Sequence, residues 1–197
     1  MTYNELCRRL SPLYGEGEAR AIVRMVVEDE FGLSPTDIYM GKVNQLSADE
    51  RANLEEIVAR IANYEPVQYV LGHADFSGRR FAVAPGVLIP RPETALLIPM
   101  IGSAAARHFT LLDIGTGSGI LAIAALKLGA DSAEGVDIDP MCVRTAGENA
   151  ARNGVADRFK VLVGDLSDKA SGQYNIITAN IVAAAILSLA PHVPVLM

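Results

Sequence analysis

The chain has 197 residues, a net charge of −6 at neutral pH, 50% hydrophobic and 20% charged residues, which is typical of a globular protein with a sizeable core. This acidic balance argues against a nucleic-acid partner, because neutralising phosphates needs a basic face. The two cysteines and three histidines are scattered and there is no basic leader or long apolar run, so we expect no disulfide framework, no metal site, no membrane contact and a cytoplasmic location.

Residues 2–63 show the spacing and start signals of short helices. Apolar residues recur at helical spacing over residues 18–30, and Gly32 then ends the helix. Ser34 and Ser47 each stand three positions before an acidic residue, which is the capping-box pattern. The sequence therefore predicts a small helical module, and leaves open whether it is a lid, a partner-binding unit or scaffold.

A hairpin and a stiff connector are predicted next. Apolar residues alternate on both sides of residues 77–79, which read Ser-Gly-Arg and predict a β-hairpin. Prolines at positions 85, 90 and 92 then favour an extended connector. Pro99 falls within the helix expected after it, where an internal proline costs about 3 kcal/mol.

The central motif is an apolar strand that runs into three glycines and then into a helix. Residues 113–119 read Asp-Ile-Gly-Thr-Gly-Ser-Gly. Glycines let a ligand approach the backbone closely, and the following helix offers free N–H groups. The spacing is not the G-x-G-x-x-G of dinucleotide-binding folds, and the loop has no lysine or arginine to hold a phosphate. It favours a nucleotide-like cofactor that is cationic and free of phosphate.

Further strands are predicted after this loop, and each ends near a polar residue. They are residues 133–140 with Asp137, residues 159–166 with Asp165, and residues 174–181 with Asn180. Asp139 and Pro140 cap and start the helix after the first of these strands. Ligands of open parallel sheets bind at the carboxyl ends of the strands, where the first of these acids is suited to ribose hydroxyls.

In this order the motifs resemble those of class I S-adenosylmethionine-dependent methyltransferases. The resemblance implies an α/β, Rossmann-like domain in which the glycines face the methionine part of the cofactor. It also implies that Asp137 holds the ribose, that Ile138, Asp165 and Leu166 surround the adenine, and that Asn180 is the catalytic residue at the methyl-transfer site. The implied cofactor-binding residues are Asp113, Gly115, Thr116, Gly117, Ser118, Gly119, Asp137, Ile138, Asp165, Leu166 and Asn180, with no metal ligand. The alternative is a plain Rossmann-like domain whose acids cap strand ends.

The amino-terminal half, residues 15–94, resembles the release-factor glutamine methyltransferases. The resemblance rests on Gln-Tyr-Val-Leu-Gly at 68–72, Phe-Ser-Gly-Arg-Arg-Phe-Ala-Val at 76–83 and Val-Leu-Ile-Pro-Arg-Pro-Glu-Thr at 87–94. It implies that the helical bundle helps to dock a translation termination factor, and that the second domain methylates the side-chain amide nitrogen of one of its glutamines. Ala95 is a departure, because the family usually has a further Glu there.

From about residue 109 the chain resembles another family, the ribosomal large-subunit protein eleven methyltransferases, which modify amines. This second resemblance rests on residues 113–130, 135–140, 148–150, 152–154 and 179–181. The glutamine methyltransferases have Asn-Pro-Pro-Tyr at the fourth strand, whereas residues 180–183 read Asn-Ile-Val-Ala, so only Asn180 is carried over. We interpret the chain as a hybrid joined near residues 100–108.

We therefore expect a helical substrate-docking domain at 1–72, a β-hairpin and proline-rich linker at 73–92, and a cofactor domain at 93–197. That domain would lack its carboxy-terminal strands, because such sheets usually have seven and four are readable here. The leading function is N5-methylation of a glutamine in a peptide chain release factor. The alternatives are amine methylation of a ribosomal protein, and a non-catalytic cofactor-binding or docking fragment. In each case the expected partner is a protein.

Overall fold

The computed structural model describes residues 1–104, 108–170 and 172–197. These residues separate into two units, residues 1–72 and residues 73–197. The expected join near residues 100–108 falls partly on residues 105–107, which lie outside the described residues. No helix in the described ranges has the length and apolar character needed to cross a membrane.

The first unit is built from helices, as predicted. Its α-helices are α1 (Tyr3–Tyr14), α2 (Glu16–Phe31), α3 (Pro35–Tyr39), α4 (Ala48–Ala62) and α5 (Val67–Leu71), with a 3₁₀ helix at Lys42–Gln45. The two predicted capping boxes are confirmed: Ser34 exchanges hydrogen bonds with Asp37 before α3, and Ser47 exchanges them with Glu50 before α4. Each box satisfies N–H groups that a helix start would otherwise leave unpaired.

The second unit begins with the predicted hairpin, which forms part of that unit's hydrophobic core. Strands β1 (His73–Phe76) and β2 (Arg79–Ala82) pair in antiparallel fashion. The rings of Phe76 and Phe81 pack edge to face with their centroids 6.2 Å apart. Both side chains are buried in a cluster with Ile101 and Phe109, so packing holds the hairpin against the rest of this unit.

Pro99 lies within the helix expected after the connector, but near its start rather than in its interior. A 3₁₀ helix at Pro92–Leu96 comes first, and α6 (Leu97–Ala104) begins only two residues before Pro99. This proline therefore lies in the first turn, where the backbone N–H groups have no partner within the helix. A proline at that position removes no helical hydrogen bond, so the expected cost does not arise.

The rest of the second unit is an α/β fold with a parallel sheet, which confirms the predicted fold class. Its strands are β3 (Thr110–Ile114), β4 (Ser132–Asp137), β5 (Phe159–Val163) and β6 (Ile176–Ala179). Its remaining α-helices are α7 (Ile120–Lys127), α8 (Pro140–Arg152), α9 (Ala183–Leu189) and α10 (Val193–Leu196). The strands run parallel in the order β5-β4-β3-β6, so their carboxyl ends meet at one edge.

Candidate functional site

Asp113 is a buried carboxylate near the carboxyl end of β3. Its Oδ2 accepts a hydrogen bond from the Thr116 hydroxyl at 2.7 Å, and its Oδ1 accepts one from the Thr178 hydroxyl of β6, also at 2.7 Å. Burial raises the pKa of Asp113 to about 6, and the hydroxyl hydrogen bonds oppose that rise. Both oxygens are thus engaged inside the protein, and Asp113 holds the glycine loop and β6 to the central strand.

The glycine loop that follows β3 needs backbone conformations that other residues rarely adopt. Gly115 has φ +66°, and a Cβ at this position would clash with Cγ2 of Ile181. Gly117 has φ +54°, and the space where its Cβ would lie is open. At Gly119 a Cβ would lie 3.1 Å from the Cβ of Ala146 in α8. The first and last glycines therefore serve packing, whereas the loop surface at Gly117 is open.

Asp137, at the end of β4, fixes the conformation of this loop. Its Oδ2 accepts a hydrogen bond from the Gly117 N–H at 2.8 Å, and its Oδ1 accepts one from the Asp139 N–H at 3.0 Å. Asp139 in turn caps α8 by accepting a hydrogen bond from the Met141 N–H at 2.8 Å. An ionised carboxylate has about four acceptor sites, so Asp137 retains capacity for the hydroxyl groups of a ligand.

The three residues predicted near an adenine line one cavity beside Asp137. Ile138 is 70% exposed, and Asp165 is exposed beyond the end of β5. Leu166 has φ +47°, an uncommon value for a residue with a side chain. The cavity has a volume of about 180 Å³ and is also lined by Gly115 and Ile181.

Asn180 follows β6 and contacts the connector, residues 83–94, which leads from the hairpin. Its Nδ2 donates a hydrogen bond to the hydroxyl oxygen of Thr94 at 2.8 Å, and Thr94 is 7% exposed. Sequence reasoning missed Thr94 as a site residue, although it belongs to the Pro-Arg-Pro-Glu-Thr stretch. The hydrogen bond joins residues 86 positions apart, and no local pattern indicates such a pair.

A second cavity lies between Asn180 and the glycine loop. It has a volume of about 50 Å³, and the connector contributes one wall of it. Its lining residues include Leu88, Arg91, Thr94, Asp113, Thr116, Ser118 and Asn180. Gly115 lines this cavity and the one beside Asp137, so the two form neighbouring halves of one candidate site.

A larger cavity, about 730 Å³, lies in the helical unit and is lined by residues of α1, α2, α3 and the 3₁₀ helix at Lys42–Gln45. This cavity belongs to the first unit, whereas the glycine loop and the polar residues at the strand ends belong to the second. Although the strand-end cavities are smaller, polar groups converge on them, so they are better candidates for an active site than the larger cavity. Within the described ranges no group of His, Cys, Asp and Glu side chains could hold a metal ion.

Two family models match the chain in separate regions. Residues 91–197 match the ribosomal protein L11 methyltransferase family (PrmA), and residues 3–72 match the PrmC N-terminal domain. The two matches follow the order of the two resemblances seen in the sequence.

Curated relatives carry the release-factor description. The release factor glutamine methyltransferase of Bacteroides thetaiotaomicron is 48% identical over 118 residues, which cover 60% of this chain and 42% of the relative. The enzyme of the same description from Agrobacterium fabrum is 35% identical over 185 residues, covering 89% of this chain and 64% of the relative. The chain thus spans about half the length of these curated relatives.

A solved structure shares the second unit's fold. The ribosomal protein L11 methylase of Lactobacillus delbrueckii subsp. bulgaricus aligns with a TM-score of 0.51 and 37% identity. The alignment covers 57% of this chain and 58% of that one. The Rossmann-like methyltransferase fold implied by the sequence is thereby confirmed.

We expect Gly117→Val to abolish S-adenosylmethionine binding, because a β-branched side chain would fill the open face of the loop. Titration calorimetry on the parent and the variant measures this. Gly154→Val is the matched control: Gly154 has φ +64° and open space around it but lies outside the site, so it carries similar backbone strain. Parental affinity in Gly117→Val, or equal losses in both variants, would contradict this reading of the loop.

Asp113 should make stability depend on pH. Its folded-state pKa of about 6 lies above the ordinary 3.8. Its contribution to the free energy of unfolding is therefore full below about pH 4 and is lost as pH rises through 6. In Asp113→Asn the titration is absent, and a threonine hydroxyl can accept from the new amide. Between about pH 4 and pH 7 the free energy of unfolding of the parent should fall by a few kcal/mol relative to the variant. Denaturant unfolding at both pH values measures this, and a pH-independent difference would contradict it.

Proposed function

We propose a function for this chain from one premise: it belongs to the ribosomal protein L11 methyltransferase (PrmA) family. The proposed activity is transfer of a methyl group from S-adenosylmethionine to a side-chain nitrogen of a protein, which leaves S-adenosylhomocysteine and releases one proton from that nitrogen. The favoured substrate is the side-chain amide of a glutamine in a peptide chain release factor, and the proposed location is the cytoplasm. The single observation that favours this substrate is the position and hydrogen bonding of Asn180.

The residues at the strand ends fit this cofactor. The open face of Gly117, the remaining acceptor capacity of Asp137 and the paired cavities on both sides of Gly115 suit an elongated ligand with hydroxyl groups. In the proposal, the glycine loop holds the methionine part, Asp137 holds the ribose, and Ile138 with Leu166 encloses the adenine. When bound, S-adenosylmethionine supplies an activated methyl group on a sulfonium centre. The protein's tasks are then to align the acceptor and to exclude water.

Asn180 supports an amide acceptor. Its Nδ2 donates to Thr94, which turns Oδ1 away from Thr94, and no described residue donates a hydrogen bond to that Oδ1. It can accept a hydrogen bond from the NH₂ group of a glutamine side chain. Such a bond raises the electron density on the amide nitrogen, whose lone pair is otherwise delocalised, and aims it at the methyl group.

An amine acceptor would place a different demand on the site. A lysine amine is protonated near neutral pH and has to lose a proton before it can attack. Among the described residues that line the cavity beside Asn180, the titratable groups are Arg91 and Asp113. Arg91 is a cation. The Asp113 carboxylate is only 2% exposed and accepts hydrogen bonds from the Thr116 and Thr178 hydroxyls and from the Ala122 backbone. The cavity therefore lacks an available base, which favours the amide.

The second candidate function is amine methylation of a ribosomal protein. It is favoured by the match of residues 91–197 to the L11 methyltransferase family and by Ile181, which stands where the glutamine enzymes have proline. A third candidate is a fragment that binds the cofactor or a partner without turnover. In all three the helical unit, residues 1–72, is proposed to dock the protein partner, since residues 3–72 match the PrmC N-terminal domain.

A tritiated-methyl transfer assay separates these candidates. Purified release factor and purified ribosomal protein L11 are each offered with labelled S-adenosylmethionine, and the labelled protein is then hydrolysed in acid. A methylated amide releases its label as methylamine, whereas a methylated lysine retains it. We expect label on the release factor and its release as methylamine. Acid-stable label on L11 would support the second candidate, and no label on either protein would support the third.

Asn180→Ala and Asn180→Asp refine this test. The alanine variant removes the acceptor and should lower the single-turnover rate by about tenfold or more, whereas the aspartate variant keeps an oxygen acceptor and should lose less. Cofactor affinity, measured by calorimetry, should change little in either variant. If Asn180→Ala transfers methyl groups at the parental rate, Asn180 only caps the strand end.

Restoring Pro-Pro-Tyr at residues 181–183 should raise the rate on the release factor. A second acceptor from a proline-fixed carbonyl would set the plane of the amide, and a misplacement of about 1 Å can cost on the order of a hundredfold in rate. The backbone at position 182 suits the change, because Val182 is 73% exposed and its φ of −65° is the value that proline imposes. Single-turnover rates are measured for the parent and for the variant with Pro-Pro-Tyr, each with and without Asn180→Ala. A restored variant that is no faster than the parent would contradict this geometry.

A further inference from the structure

Asn149 is a buried side chain of α8 that bonds to two distant backbone segments. It is 0% exposed. Its Oδ1 accepts a hydrogen bond from the Ala82 N–H at 2.6 Å. Its Nδ2 donates to the Ala82 carbonyl at 3.1 Å and to the Ser118 carbonyl at 2.9 Å. Because a backbone N–H can only donate and a carbonyl can only accept, these partners fix the orientation of the amide.

The two segments that Asn149 joins lead to different parts of the lining of the candidate site. Ala82 is the last residue of β2 and leads directly into the connector, residues 83–94, which forms one wall of the cavity beside Asn180. Ser118 belongs to the glycine loop, which also lines this cavity. The Asn149 side chain thus links the start of the connector, where the substrate is proposed to bind, to the glycine loop, where the cofactor is proposed to bind.

Buried residues surround both points of attachment. Ser118 is 4% exposed, and the connector is anchored just past Ala82 by Val83 and Val87, which are 3% and 0% exposed. One turn earlier on α8, Ala146 lies directly against the position of Gly119. The helix therefore touches the loop at two successive turns, and a shift of the loop cannot occur without a shift of α8 or a loss of these bonds.

We infer that Asn149 is a positioning residue that couples the cofactor loop to the connector, so that cofactor binding orders the wall against which the substrate is placed. This inference rests on the proposed function, because it assumes that the glycine loop holds S-adenosylmethionine. Asn149 touches neither the cofactor nor the substrate in this account. It acts through the Ser118 carbonyl on one side and the Ala82 peptide on the other.

The chemically sharpest change is Asn149→Asp, which keeps the shape of the side chain. A carboxylate oxygen would then face the carbonyl oxygens of Ala82 and Ser118, and the buried Ser118 carbonyl would lose its donor. We expect the affinity for S-adenosylhomocysteine, measured by calorimetry, to fall at least about tenfold. Asn153→Asp is the matched control, because Asn153 lies one turn further along the chain, at the end of α8. Among the described residues its side chain bonds only to the Asn149 carbonyl.

Hydrogen–deuterium exchange of the whole chain with and without S-adenosylhomocysteine tests the coupling itself. In the parent and in Asn153→Asp, the ligand should slow exchange in residues 115–119 and also in residues 83–94. In Asn149→Asp at saturating ligand, protection should persist in the loop but be lost from the connector. A purely structural role would weaken protection throughout the second unit and would not separate the two segments.

The outcomes distinguish this inference from the proposed function. If the parent does not bind S-adenosylhomocysteine, the proposed function fails. If the parent binds it but residues 83–94 gain no protection, or if Asn149→Asp keeps both the parental affinity and the connector protection, the coupling fails alone. Should Asn149→Asp not fold, Asn149→Ser removes the amide without adding a charge and is expected to show the same loss of connector protection. The exchange of the parent with and without S-adenosylhomocysteine tests whether the connector gains protection without any variant.

Discussion

The parallel register of the second unit's sheet is the constraint on which the candidate site depends. Ile114 of β3 pairs with Val136 of β4 and with Ala179 of β6, and Asp137 pairs with Val163 of β5. Parallel pairing brings all four carboxyl ends to one edge, so residues far apart in the chain meet there. The buried Asp113 then locks this arrangement, because its two oxygens accept hydrogen bonds from the loop and from β6.

The connector gives this edge a second wall. Among the described residues, the cavity beside Asn180 is bounded on one side by the glycine loop and on the other by residues 88–94. The connector reaches that position because the hairpin before it is packed into the core through Phe76 and Phe81. The proposed preference for an amide over an amine acceptor thus depends on the second unit alone, because every residue that lines this cavity belongs to it.

Patterns that are local in sequence could be predicted, and contacts between distant residues could not. The fold class, the methyltransferase family and the caps at Ser34 and Ser47 were predicted and are confirmed, because each depends on a few neighbouring residues. The roles assigned to the site residues, and the domain bounds, stay predictions. The hydrogen bonds of Thr94 and Asn149 were not predicted, because their partners Asn180 and Ala82 lie 86 and 67 positions away in the chain. Pro99 was misjudged because the start of α6 could not be read to within a turn.

The central claim is that the strand-end edge of the second unit is the S-adenosylmethionine site. The most direct test is a crystal structure of the chain grown with S-adenosylhomocysteine, with the ligand located in a difference map. The account predicts density that lies along residues 115–119, with the ribose hydroxyls within hydrogen-bond distance of the Asp137 carboxylate. Density in the cavity of the helical unit, or at the strand ends but away from Asp137, would contradict it.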